Sequence, residues 1–135
     1  MSVRAALQRF AEGGVLGSVT DDRRDAVLIA LAEVLNNIAE HAYGGMGGPV
    51  TVNLRRGAGA VTVRVLDKGD TAPLFACAEA PDPAHLPEGG FGLPLIRALA
   101  EGLVQQRRLG CNVLCLRFSA HSPPEPRGMF PVRLK

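Results

Sequence analysis

With 135 residues, 47% of them apolar and 21% charged, the chain has the size and composition of one globular domain with a single core, which excludes wholesale disorder. Its formal net charge of +2 comes from scattered arginines and only two lysines, Lys68 and Lys135. No basic run with interleaved aromatics marks a nucleic-acid surface, and no window approaches the roughly 20 apolar residues of a membrane span.

Val3, Leu7 and Phe10 recur at helical spacing, so a short amphipathic helix is expected over 2–12 with Ser2 as its cap. Arg4, Gln8 and Arg9 interrupt any apolar run there, unlike a signal peptide, and a cytoplasmic domain is expected. After Gly13, Gly14 and Gly17 a second helix starts near Asp21 and Asp22, where acidic side chains suit the positive end of the helix dipole. Its apolar stripe is Val27, Leu28, Leu31, Leu35 and Ile38, and it runs to about Tyr43, where Gly44, Gly45, Gly47 and Gly48 stop it. Val50, Val52 and Leu54 then alternate with polar residues, as do Val61, Val63 and Val65, which predicts a hairpin around Gly57, Ala58 and Gly59.

Residues 68–88 form a long aperiodic loop rich in Pro, Asp, Ala and Gly, a length that tends to be functional inside a compact domain. Gly89 to Gly92 open a third helix over 93–101, and a second hairpin follows over 104–108 and 112–118 around Leu109 and Gly110. Cys111 and Cys115 lie in that apolar stretch and read as small core residues; with Cys77 they lack the spacing of a zinc site. The domain proper is expected over 1–121. Residues 122–135 form a Pro-rich tail ending in an apolar segment, 129–134. Helices segregated from consecutive antiparallel strands predict an α+β fold, a two-layer sandwich of one mixed or antiparallel sheet with helices on one face.

Three constellations have the right chemistry for a ligand. On the second helix Glu33 and Asn37 lie about 40° apart, with Asn36 and Glu40 on the same stripe. Taken alone this is also the solvated face of an amphipathic helix, yet adjacent Asn residues form helices poorly and hard oxygen donors suit a magnesium–phosphate site. Asp67-Lys68-Gly69 follows the strand over 61–66; it reads as an ordinary turn or as a carboxylate turned into a pocket. Gly89-Gly90-Phe91-Gly92-Leu93 lets backbone approach an anion at a helix start, but it is neither a Walker loop nor a dinucleotide fingerprint.

In this order and spacing the three pieces resemble the ATPase superfamily that contains histidine kinases, gyrase B and MutL (the GHKL superfamily, with the Bergerat-type fold). Glu33-x-x-x-Asn37 is similar to its N box, Asp67-x-Gly69 to its G1 box and Gly90-x-Gly92 to its G2 box. The match is nearer still to the anti-sigma-factor serine/threonine kinases, because Asn37-Ile38-Ala39-Glu40-His41-Ala42-Tyr43 shares the frame in which their N-box helix ends. The resemblance covers about 2–118.

It implies ATP and Mg2+ as cofactors, with Asn37 on the magnesium ion, Asp67 accepting from the adenine amino group, and Gly69 leaving room for the base. Gly90, Gly92 and Leu93 would meet the phosphates, and Glu33 would act as general base toward a protein serine. It implies an anti-anti-sigma protein of the STAS type as acceptor, a sigma factor as second partner, and a homodimer, with no direct nucleic acid or membrane contact. A non-catalytic ATP-binding regulatory module is the alternative, and the catalytic fragment of a split histidine kinase a third reading. His41 reads as a packing or hydrogen-bonding residue at the helix end. Two positions depart from the pattern: Thr71 stands where a glycine is usual, and Asn112 follows Gly110 and Cys111 where a threonine is usual near the base. The family's leading strand is also missing before the first helix. The 129–134 segment resembles it and is expected to fill the vacant sheet edge, in its own subunit or in a neighbour.

Overall fold

A computed structural model describes residues 1–44, 46–57, 59–69 and 92–121, with the backbone alone at 92 and 93. Ser2 caps the first helix, α1 (Val3–Glu12), by accepting a 3.1 Å hydrogen bond from the Ala5 amide. A 3-10 turn, Gly14–Leu16, buries Leu16 completely and leads to α2 (Asp21–Asn37). Helix α2 places Ala26, Val27, Ala30, Leu31, Val34 and Leu35 in the core. The helix expected to reach Tyr43 does so in two parts: regular α-helix to Asn37, then a π-helical turn, Ile38–Ala42.

The hairpin β1 (Val50–Gly57) and β2 (Ala60–Asp67) pairs Gly57 with Ala60, with Gly59 at φ +71° as a tight turn there requires. Helix α3 (Gly92–Leu99) follows, then β3 (Gly102–Arg108) and β4 (Cys111–Ser119), joined at Leu109 and Gly110, both with positive φ. Among the described residues the strands form one antiparallel sheet in the order β1-β2-β4-β3, so the α+β class holds with every pairing antiparallel.

The pleat sends alternate residues to opposite faces, and the registers line them up in rows across the sheet. Three inward rows are centred on Val61 against Phe118, Val63 against Leu116, and Val65 against Leu114, all buried beneath α2 and the fully buried Ile96 of α3. Burying one such side chain stabilises the fold by about 1.5–3 kcal/mol. The same alternation corrects the reading of Cys111 and Cys115 as core residues. Because Asn112, Leu114, Leu116 and Phe118 take the inward side, the two cysteines lie half-buried on the opposite face. No helix among the described residues is long and apolar enough to cross a membrane.

Candidate functional site

The fourth inward row breaks the apolar pattern. It runs Val50, Asp67, Asn112, Arg107 across the four strands. Asp67 and Asn112 are as buried as their apolar neighbours, with 3% and 2% of their surface exposed. Buried polar groups are tolerated only when hydrogen-bonded, and these two bond each other. Asn112 Nδ2 donates to Asp67 Oδ1 at 2.8 Å and to the Gly69 carbonyl at 3.2 Å. Arg107 Nη1 donates at 2.8 Å both to Asn112 Oδ1 and to the Gly69 carbonyl. That bond fixes which end of the Asn112 amide faces Asp67: its oxygen is held by the guanidinium, so its NH2 meets the carboxylate.

Asp67 Oδ1 also accepts from the Gly69 amide at 2.9 Å, a short turn closed by the side chain. Oδ1 is therefore committed to two donors. Oδ2 accepts no hydrogen bond from the described residues. The result is a buried carboxylate with one oxygen fixed and the other without a donor among the described residues.

Gly69 is buried against the π-helical turn. A Cβ there would stand 2.7 Å from the Ala42 Cβ and closer still to the Ala42 carbonyl oxygen, so only glycine fits without a backbone shift. Tyr43, directly after the π turn, braces the same loop from the other side. Its hydroxyl accepts from the Lys68 amide at 2.7 Å and donates to the Pro49 carbonyl. The end of β2 is thereby seated on the end of the α2 segment that carries Asn37.

Glu33 and Asn37 lie one helical turn apart on α2 and are both half-buried, whereas Asn36 and Glu40 are exposed. The four-residue stripe read from the sequence thus divides, and the π turn, with its extra residue, takes Glu40 off the regular helical phase. His41 is exposed, with Nε2 3.5 Å from a carboxylate oxygen of Glu40, the polar of the two roles expected for it. Gly92 and Leu93 form the first residues of α3, the helix packed beside α2. Gly90, Thr71, Cys77 and nearly all of the long loop lie outside the described residues.

Sequence reasoning missed Arg107 altogether and assigned Asn112 only as a departure. A signal was present: a two-residue turn at Leu109 and Gly110 sets residue 107 opposite 112 by counting back from the turn. The fold itself defines a two-layer α+β domain whose sheet ends in a polar row beneath a helix terminus. The chain belongs to the histidine kinase-like ATPase domain family, whose profile matches residues 1–118. It is also similar to the serine-protein kinase RsbW of Bacillus mycoides (strain KBAB4), at 28% identity over 133 aligned residues, covering 91% of this chain and 82% of that protein.

Proposed function

We propose that this chain binds ATP with Mg2+ beside the polar row and transfers the γ-phosphoryl group to a serine of a partner protein. One observation carries the reading: Asp67 holds Oδ1 on two donors, its Oδ2 accepts from no donor among the described residues, and Gly69 beside it is packed on Ala42 so closely that it admits no side chain. A flat base with an exocyclic amino group suits that arrangement, because the amino group donates to Oδ2 while the ring lies against backbone. Guanine presents a carbonyl oxygen at the corresponding position and would meet Oδ2 with repulsion.

Asn37 offers an amide oxygen to the metal, and Glu33, one turn earlier, is the base that takes the proton from the attacking serine hydroxyl. Mg2+, when bound, neutralises and orients the phosphate oxygens, and it commonly takes few protein ligands because substrate phosphates and water fill its shell. Phosphoryl transfer asks the protein chiefly for positioning and charge stabilisation, which a small residue set supplies. The similarity to a serine-protein kinase supports serine as the acceptor. The resemblance to anti-sigma-factor kinases supports a regulatory role, with a small anti-anti-sigma protein as phosphate acceptor and a sigma factor as the sequestered partner.

Calorimetry of Mg·ATP binding with wild type, Asp67→Asn and Asn37→Ala tests the site, and labelled phosphate transfer to a serine of a co-encoded acceptor tests the chemistry. Asp67→Asn should weaken ATP at least about tenfold, the worth of a hydrogen bond to a charged group, and narrow the preference for ATP over GTP. Asn37→Ala should abolish the magnesium dependence. Glu33→Ala should keep binding and lose transfer. Binding without transfer in the wild type would leave a non-catalytic regulatory module, and no ATP binding by folded wild type would sink the nucleotide reading.

A further inference from the structure

Strand β1 is an edge strand among the described residues, and the space beneath that edge is under-filled. A groove of about 770 Å³ opens there, lined by Val3 and Phe10 of α1, Ile38 and Tyr43 at the end of α2, and Val50 and Val52 of β1. Helix α1 has no fully buried residue; Val3, Ala6, Leu7 and Phe10 all stop at partial burial although they face the core. Such an edge, unpaired and apolar on its inner side, is what sheets normally cover.

The backbone phase of that edge can be read from one bond. The Ala120 amide donates to the Gly59 carbonyl at 2.9 Å, so Gly59 faces β4 and Ala60 faces β1. Residue 57, paired with Ala60, faces β2, and by alternation Val52, Leu54 and Arg56 turn their N–H and C=O groups to the open edge. These even-numbered residues are also the ones whose side chains point inward.

Beyond residue 121 the chain carries an apolar segment, 129–134, in which Phe130, Val132 and Leu134 alternate with Met129, Pro131 and Arg133. The geometry points to residues 129–134 of the same chain as the occupant of this groove, added antiparallel to β1 as a fifth strand. Three facts select it. The chain leaves β4 beside the β1–β2 turn, so a strand starting there and passing β1 runs against it, the more stable antiparallel pairing; beside β3 it would run parallel.

The reach suffices: three strand spacings are about 14 Å, and the eight residues 121–128, rich in proline, span about 25 Å when extended. The phases also agree. Residues that pair with β1 through the open edge share its inward side, so Phe130, Val132 and Leu134 enter the groove while their N–H groups bond to β1. Pro131, which has no N–H, then falls at the position turned to solvent, where an edge strand tolerates proline. Setting Phe130 against Leu54, Val132 against Val52 and Leu134 against Val50 places the segment over the groove.

Amide hydrogen exchange on the full chain tests this residue by residue. The Val52 and Leu54 amides should be slowed about tenfold or more relative to a chain ending at residue 121, while Thr51, Asn53 and Arg55, bonded to β2, stay protected in both and report that the hairpin is intact. The shortened chain should also melt at least about 5 °C lower. Val132→Pro should undo the protection, whereas Pro131→Ala should leave it in place, since residue 131 faces away from β1. Fast exchange at Val52 and Leu54 in the full chain, or protection indifferent to Val132→Pro, overturns the proposal. So does protection that disappears on dilution together with a dimeric mass, which would assign the strand to a second copy.

Discussion

The inward row Leu54, Val63, Leu116 and Leu103 and the row Val50, Asp67, Asn112 and Arg107 occupy equivalent places, two rungs apart on the same sheet. Both are set by the same period-two pleat and the same hairpin registers. In the first, hydrocarbon meets hydrocarbon, and its worth is the area removed from water. In the second, a carboxylate, an amide and a guanidinium satisfy one another in sequence, with the second oxygen of Asp67 left without a donor among the described residues. The comparison teaches that the candidate site is the last layer of the core with its chemistry exchanged, held in place by the packing of the layers below.

Phe118→Ala attacks the packing side and should have the largest effect. Phe118 is completely buried at the far end of the rows, and truncation there costs about 3–5 kcal/mol; the midpoint in urea should fall steeply. If enough folded protein survives to be titrated with Mg·ATP, its affinity should match wild type, because the polar row lies at the opposite end. A parallel loss of affinity would show the two rows to be coupled.

Arg107→Met attacks the polar side. Arg107 lies on β3, an edge strand among the described residues, and is exposed, so unfolding should move little, yet the Asn112 amide loses the donor that fixes its orientation. A neutral-scale hydrogen-bond loss of about 1 kcal/mol corresponds to roughly fivefold weaker ATP binding. Equal affinities for Arg107→Met and wild type would remove Arg107 from the site. Leu109→Asn should have the smallest effect. Leu109 holds φ +50° with its side chain fully exposed, a conformation asparagine adopts more readily. Thermal unfolding should show a gain of about 0.5–1 kcal/mol with ATP affinity unchanged.

Much of the frame was legible in the sequence because it depends on periodicity and punctuation: the Ser2 cap, the two hairpins at Gly59 and Gly110, and the α2 stripe from Val27 to Leu35 all follow from local chemistry. What escaped depends on partners distant in sequence. Residues 111–118 read as one apolar run, and nothing local says that Leu114, Leu116 and Phe118 outcompete Cys111, Val113 and Cys115 for the interior by bulk. That choice carries Asn112 inward to Asp67, 45 positions away. The π turn after Asn37 was equally hidden, since the apolar stripe continues through Ile38 without a break. Glu33, Asn37, Asp67 and Gly69 stood out in the sequence by their spacing, but Arg107 belongs to no such pattern and emerges only from register.

That π turn also acts as a caliper. Its additional residue sets the height at which the Ala42 carbonyl meets Gly69 and the angle at which the Tyr43 hydroxyl reaches Lys68. Removing one residue from Ile38–Ala42 would rewind the segment as plain α-helix and swing both residues by about 100°. The 67–69 turn would then lose its support from Ala42 and Tyr43 while Asn37, upstream, stayed where it is. Spacing between Gly69 and the Asn37 amide is thus written into the pitch of a single coil of backbone.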